Sequence, residues 1–264
     1  MNINMKYYIV TIGSIFLASF SYSSINLSLY FSELSKQQSE VLSQFEEKFD
    51  SLNEEKSDLN KQIDSLNEKY GKLKTYVSQN YNLLIADALT NKNTGIILTN
   101  EKNDYSEELE NTIKEANGNL AFNIVIKDTI ENSEKLKEAA EATGIEIKSS
   151  QDCINYIIDS LNGETAKSDL EKLAKLDLIE IKSLNKDYAS YDSVVLVGEN
   201  EDENMKNSFE VKEKNIISKL KSEKKYLVAV QREESTSEFI KLCSDLNIST
   251  IDNIDSEVGK ISLT

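Results

Sequence analysis

The chain contains no histidine, no proline and no tryptophan, and only two cysteines. Without histidine it lacks the commonest general base and the commonest metal ligand together. Ser-His and Cys-His nucleophile pairs are excluded outright. Cys153 and Cys243 stand far apart, with no CxxC spacing, so there is no zinc or iron–sulfur signature. Both lie beside apolar helical positions and read as small buried core thiols, with a disulfide outside the cytoplasm as the alternative. No GxGxxG, no GxxxxGK[ST] and no GxSxG occurs, so phosphate loops and nucleophile elbows are missing too.

Positive charge is scarce. The 264 residues hold 46 acidic and 30 basic side chains, a net charge of −16. Residues 1–32 carry +1 from Lys6, and residues 33–80 carry 7 Lys against 10 Asp or Glu, leaving −14 for residues 81–264. No basic patch exists to hold nucleic acid or anionic lipid. The run Glu199–Glu203 lacks the alternating spacing and glycine of a calcium loop and reads as a solvated acidic loop. Asp192, Asp252 and Asp255 offer carboxylates, but any chain this acidic offers such pairs. A copper site wants thiolate, thioether or imidazole; Met1, Met5, Met205 and the two cysteines do not cluster in sequence. No catalytic, cofactor-binding or metal-ligating residue is therefore assigned, and the chain is read as a non-enzyme.

What is present is a seam. Leu42, Phe45, Phe49, Leu52, Leu59, Ile63, Leu66, Tyr70, Leu73 and Val77 follow alternating three- and four-residue steps, broken only by Lys56. Leu42, Phe49, Lys56, Ile63, Tyr70 and Val77 are a positions; Phe45, Leu52, Leu59, Leu66 and Leu73 are d positions. An apolar seam with period 3.5 and polar flanks predicts a coiled coil, roughly 50 Å long at 1.5 Å per residue. A helix folded back on its own domain is the competing reading. A parallel homodimer is the simplest state that buries the seam, and a partner's helix is the other candidate.

Before the seam, Tyr7 to Ser32 contains no charged residue. These 26 positions exceed the roughly 20 needed to cross a bilayer core. The segment reads as an uncleaved single-pass anchor. A signal peptide with an apolar stretch at Ile9–Phe20 and cleavage among the following serines is the alternative. Lys6 before the segment and acids after it put the N-terminus in the cytoplasm and the remainder outside.

After about Asn93 the period changes. Apolar runs at Gly95–Thr99, Leu120–Ile126, Leu178–Ile181, Ser193–Gly198 and Tyr226–Val230 predict strands. Between them Glu107–Ala116, Asn132–Thr143, Gln151–Leu161, Ser168–Leu176, Met205–Ser222 and Ser235–Leu246 predict helices. The first is stopped by Asn117-Gly118 and the last is opened by Ser235 with Glu238 at capping-box spacing. Ile145–Lys148, Ile248–Ile251 and Lys260–Leu263 read as short extended pieces. Strands alternating with helices predict a mainly parallel α/β sandwich, doubly wound and flavodoxin-like. The expected organisation is a membrane anchor at 1–32, a coiled coil at 33–80 and an extracytoplasmic α/β domain at 81–264.

The two ends carry a family resemblance. Tyr7-Tyr8-Ile9-Val10-Thr11-Ile12-Gly13-Ser14-Ile15-Phe16-Leu17-Ala18 resembles the start of MctB-type proteins, copper transporters or copper transport outer-membrane proteins. Ile248-Ser249-Thr250-Ile251-Asp252-Asn253-Ile254-Asp255-Ser256-Glu257-Val258-Gly259-Lys260-Ile261-Ser262-Leu263 is similar to their closing pattern. After Ala18 the family continues glycine-rich, where this chain has Ser19-Phe20-Ser21-Tyr22-Ser23-Ser24. The resemblance implies an apolar helix, a coiled coil and an α/β domain, with a role in copper transport or homeostasis. Copper is implied by this resemblance alone. The same resemblance includes SteB-type envelope proteins, scaffolds in cell-wall assembly and division.

Overall fold

The computed structural model of the chain describes residues 3–102, 104–163, 165, 167–198, 205–235 and 238–264. It divides into two compact units, Met1–Lys72 and Leu73–Thr264.

The first unit is helix alone, the larger part of α1 (Ile3–Ile85). Every side chain from Met5 to Lys72 is exposed. The segment near the N-terminus is long and apolar enough to cross a membrane. Four of its hydroxyls are satisfied locally: Thr11 donates to the Tyr7 carbonyl at 2.8 Å, Ser14 to Thr11 at 2.9 Å, Ser19 to Phe16 at 3.0 Å and Ser24 to Phe20 at 2.9 Å. A hydroxyl paired with its own helix costs far less in hydrocarbon than a free one, so these serines are compatible with lipid.

The second unit is built on a six-stranded sheet. The strands are β1 (Asn93–Leu98), β2 (Asn119–Ile126), β3 (Ile179–Leu184), β4 (Ser193–Val197), β5 (Tyr226–Val230) and β6 (Ser249–Ile251). Their order is β3-β2-β1-β4-β5-β6, all parallel except β3, which lies antiparallel on β2. Without β3 the order is the doubly wound, flavodoxin-like one, and the direction of winding reverses between β1 and β4. The inner strands β1, β2, β4 and β5 are mostly apolar on both faces because both are covered, whereas the edge strands β3 and β6 carry polar residues. Ile97, Ile124, Leu196 and Ala229 face a layer formed by α3 (Ser133–Thr143), α4 (Ser150–Leu161), α5 (Lys167–Lys175) and α7 (Glu213–Ser222). Ile96, Leu98, Val125, Val195 and Val230 face α2 (Ser106–Glu115) and the C-terminal α9 (Glu257–Leu263).

Local signals explain the helix ends. Asn132 caps α3, accepting from the Glu134 and Lys135 amides, and Gly144 ends it at φ 73°. Ser149 and Asp152 form a reciprocal capping box at the start of α4. That box corrects the extended reading of Ile145–Lys148. The Lys148 and Ser149 amides are drawn to the Asp152 carboxylate, and β3 pairs with β2 at that end of the sheet.

Three further expectations are corrected. Met205–Ser222 is two helices, α6 (Met205–Val211) and α7, meeting at Lys212, whose side chain turns inward. The helix expected from Ser235 is α8 (Phe239–Asp245) and has no side-chain cap, because Arg232–Ser235 is used as a turn. Thr236 and Ser237 lie outside the described residues. Lys260–Leu263 is helix, not strand: Ser256 accepts from the Gly259 amide at 3.0 Å and nucleates α9. A Cβ at Gly259 would overlap the Asn253 carbonyl, so only glycine lets this turn close.

Gly95 has a packing role in β1. It is paired in register with Phe122, whose ring fills the space of a side chain at Gly95 and meets Tyr191 edge-on at 5.0 Å between centroids. Gly95→Ala should destabilise this unit by about 1–3 kcal/mol through overpacking. Urea denaturation of the detergent-solubilised chain, followed by tyrosine fluorescence, reads the loss; an unchanged midpoint would contradict this packing.

Candidate functional site

Two surfaces qualify, one on each unit. The first is the seam. Leu42, Phe45, Phe49, Leu52, Leu59, Ile63, Leu66, Tyr70 and Leu73 are 51–69% exposed, whereas Val77 is 9% exposed and buried in the second unit. Lys56 interrupts the stripe and is exposed as well. Ion pairs within the helix, Lys61 to Asp58 at 2.9 Å and Lys72 to Glu68 at 2.6 Å, lie at c and f positions on the opposite face. The helix thus stabilises its wet face by itself and leaves the apolar one uncovered.

The second surface is the carboxyl edge of the sheet at the β1/β4 reversal, where doubly wound folds bind ligands. Thr99 follows β1, and its amide donates to the Val197 carbonyl at 2.9 Å. Its hydroxyl donates to Glu213 Oε1 at 2.5 Å. The ammonium of buried Lys212 donates to the Thr99 carbonyl at 2.8 Å and meets Asp128 Oδ1 at 2.5 Å. Lys127 bridges Asp177 at 2.9 Å and Glu101 at 3.3 Å, and chiefly the Asp177 hydrogen bond raises its pKa. A cavity of about 310 Å³ is walled by Thr99, Glu101, Lys127, Asp128 and Asp177, with Asn100, Lys102 and Thr129, while Lys212 and Glu213 do not line it. Lys127 and Lys212 are already neutralised by carboxylates, so neither is a ready-made anion site.

Glu213 is the unusual member. It opens the apolar stripe Glu213, Ile216, Ile217, Leu220 of α7 and is 3% exposed. Burial raises its pKa to about 7, against the opposing Thr99 hydrogen bond and Lys212 charge. Its Oε2 has no partner among the described residues. A carboxylate at the first place of an apolar i, i+3, i+4, i+7 pattern was the available sequence signal. The charged context Glu210-Val211-Lys212-Glu213-Lys214 hides it.

Asp192, Asp252 and Asp255, to which no role was assigned, lie at separate places on the unit. Asp192 lies at the amino edge and accepts from the Asn93 amide at 2.9 Å. Asp255 accepts from the Glu233 amide at 3.0 Å, beyond β5, and Asp252 is exposed after β6. The Glu199–Glu203 run lies outside the described residues. At the amino edge a cavity of about 290 Å³ has an apolar lining of Leu89, Ile113, Val195, Val228 and Leu263. Its polar lining is Lys92, Thr94, Asp192, Ser193, Tyr226, Ser262 and Thr264, with the Thr94 and Ser193 hydroxyls paired at 3.0 Å.

The closing segment that carries the resemblance proves structural: Asn253, Ser256 and Gly259 shape the turn into α9. The family model described as "Copper transport outer membrane protein, MctB" matches residues 2–264. The chain belongs to the MctB family. No curated protein matches it. The MctB assignment makes this a copper transport-related envelope protein, and the apolar N-terminal helix fits membrane localisation. MctB is not a known enzyme family.

Copper is cargo for such a family, and the soft donors of this MctB chain are poorly presented for it. Cys153 and Cys243 are free, fully buried thiols in the helical layer. Burial pushes Cys153 to about 12 and raises Cys243 as well, so neither offers a thiolate. Met5 is exposed on α1, and the Met1 and Met205 side chains lie outside the described residues. Among the described residues no three His, Cys, Asp or Glu side chains converge on a metal position.

Glu213 predicts a pH dependence. Its folded pKa, about 7, lies above the ordinary 4.5, so between those values the folded chain keeps a proton that the unfolded chain has released. Its contribution is therefore full below pH 4.5, falls as pH rises across the window, and is gone above about 7. The total is on the order of 3 kcal/mol. Glu213→Gln keeps an acceptor for Thr99 and should remove this slope, making the variant the more stable chain at pH 8. Urea midpoints from pH 5 to 8 compare the two; parallel curves would assign the titration elsewhere.

Proposed function

We propose that the chain is a non-enzymatic, single-pass envelope protein that serves copper transport as an assembly component. Residues 1–32 hold it in the membrane, residues 33–80 form a coiled-coil stalk, and residues 81–264 stand outside the cytoplasm as the α/β head. The stalk is covered by a second helix, from another copy or from a partner. Copper is moved by the assembly, and no metal cofactor resides in this chain. The observation that carries this reading is the apolar stripe from Leu42 to Leu73, exposed along its whole length and lying between a lipid-compatible segment and the head.

A second reading is favoured by the placement of the thiols in the core. In it the chain is a SteB-like scaffold of cell-wall assembly and division, with the same stalk and no traffic in copper.

The combined variant Leu52→Glu, Leu59→Glu puts charge into the seam without touching the head. It should abolish recovery of the stalk complex after crosslinking in intact cells and lower copper tolerance, with the urea midpoint of the head unchanged. Lost complex with normal copper tolerance and altered division would select the scaffold reading. Full recovery of the complex would overturn both. Lys137 is exposed on α3, so Lys137→Cys should react with a membrane-impermeant maleimide in intact cells; labelling only after lysis would place the head on the wrong side.

A further inference from the structure

We propose that the seam of α1 is covered by the same seam of a second copy, parallel and in register, and that Lys56 fixes that register and limits the bundle to two strands. This rests on the reading of α1 as an anchored stalk.

Direction follows from the anchor. Two chains entering one membrane by the same end run parallel, so a meets a and d meets d along the pair. Register follows from Lys56. In register, the two lysines share one layer and every other layer from Leu42 to Leu73 is apolar or aromatic. A slip of one heptad sets each Lys56 against Phe49 or Ile63 of the other chain. Two layers are then spoiled in place of one, and each ammonium faces an apolar partner.

Charge complementarity supports the in-register layer. Glu55 precedes Lys56 at a g position, at the rim of the seam, within reach of the other copy's Lys56. Both residues are exposed, and among the described residues neither is ion-paired within the chain. The acids and bases at the c and f positions Asp58, Lys61, Glu68 and Lys72, by contrast, are already paired with each other. In a two-stranded coil an a-position lysine extends along the rim and keeps its ammonium wet, whereas three or four strands would enclose it.

The flanking positions add a gradient. Across an in-register pair, g meets the following e of the other chain: Lys48 meets Asn53, Glu55 meets Asn60 and Gln62 meets Asn67. Lys69 meets Lys74, a like-charge pair beside Gly71. The seam is therefore closed through its middle and loosened toward the head.

Disulfide trapping in membranes tests this with the full chain. The native thiols are buried, so the parent chain should stay uncrosslinked under diamide. Leu59→Cys should form a homodisulfide, since facing d positions meet the distance a disulfide needs. Differently tagged Leu52→Cys and Leu59→Cys chains, co-expressed, should cross-link at least about tenfold less. Adding Lys56→Leu should raise that out-of-register product severalfold and give species larger than dimers. If Lys56→Leu leaves the products unchanged, Lys56 does not set the register. If Leu59→Cys stays monomeric while Leu52→Glu, Leu59→Glu still destroys the complex, the occupant is a different protein; self-pairing is overturned and the stalk reading stands. If neither has any effect, the stalk reading itself fails.

Discussion

A greasy stripe in water has to be covered, and this chain does not cover its own. Each apolar side chain of the seam is worth about 1.5–3 kcal/mol when fully buried. Nine of them face outward over about nine turns of α1, against ion pairs on the far side worth a few tenths of a kcal/mol each. A single helix with that distribution is marginal alone and strongly stabilised by a second. The head has apolar layers of its own, one on each face of its sheet. On the proposed reading the stripe is covered by association.

The head repeats the lesson at smaller scale. Its sheet has the strand order that elsewhere creates a ligand crevice, yet the crevice is furnished from within. Lys212 is turned inward at the junction of α6 and α7, and its ammonium occupies the end of β1 that a ligand's donor would otherwise meet. Asp128 neutralises it on the solvent side. Glu213, next in sequence, is buried against the same Thr99, and burial raises its pKa to about 7. Adjacent residues, one satisfied as a cation and one held neutral, consume the polarity of the site.

The alternation of strand and helix was legible from hydrophobic period, and the stop at Asn117, which adopts a φ of 60°, from the Asn-Gly pair. Boundaries failed where a long-range contact decided them. No local pattern announces that Lys212 breaks a helical run in order to reach Thr99. The C-terminal piece was misjudged because Lys260-Ile261-Ser262-Leu263 alternates like a strand, while the decisive residues, Ser256 and Gly259, lie just before it. The antiparallel placement of β3 has no sequence signal, since strand direction is set by connection and packing. Of the candidate site, the seam was readable because a heptad is a local property. The cluster at Thr99, Asp128, Lys212 and Glu213 is joined by hydrogen bonds that span 84 to 114 positions and was not.

These constraints bear on how such a chain serves a metal-transport system. One apolar helix per copy gives two in a pair, and two helices enclose no lumen through a bilayer. The head's sheet is open and has helices on both faces, so it is not a membrane barrel either. Its two thiols are buried in the helical layer, and burial raises both, so neither is presented at the surface to a soft ion. On the proposed reading, then, the chain's contribution is geometric. On that reading pairing through the seam brings two anchored copies together, with the seam loosest where Lys69 meets Lys74.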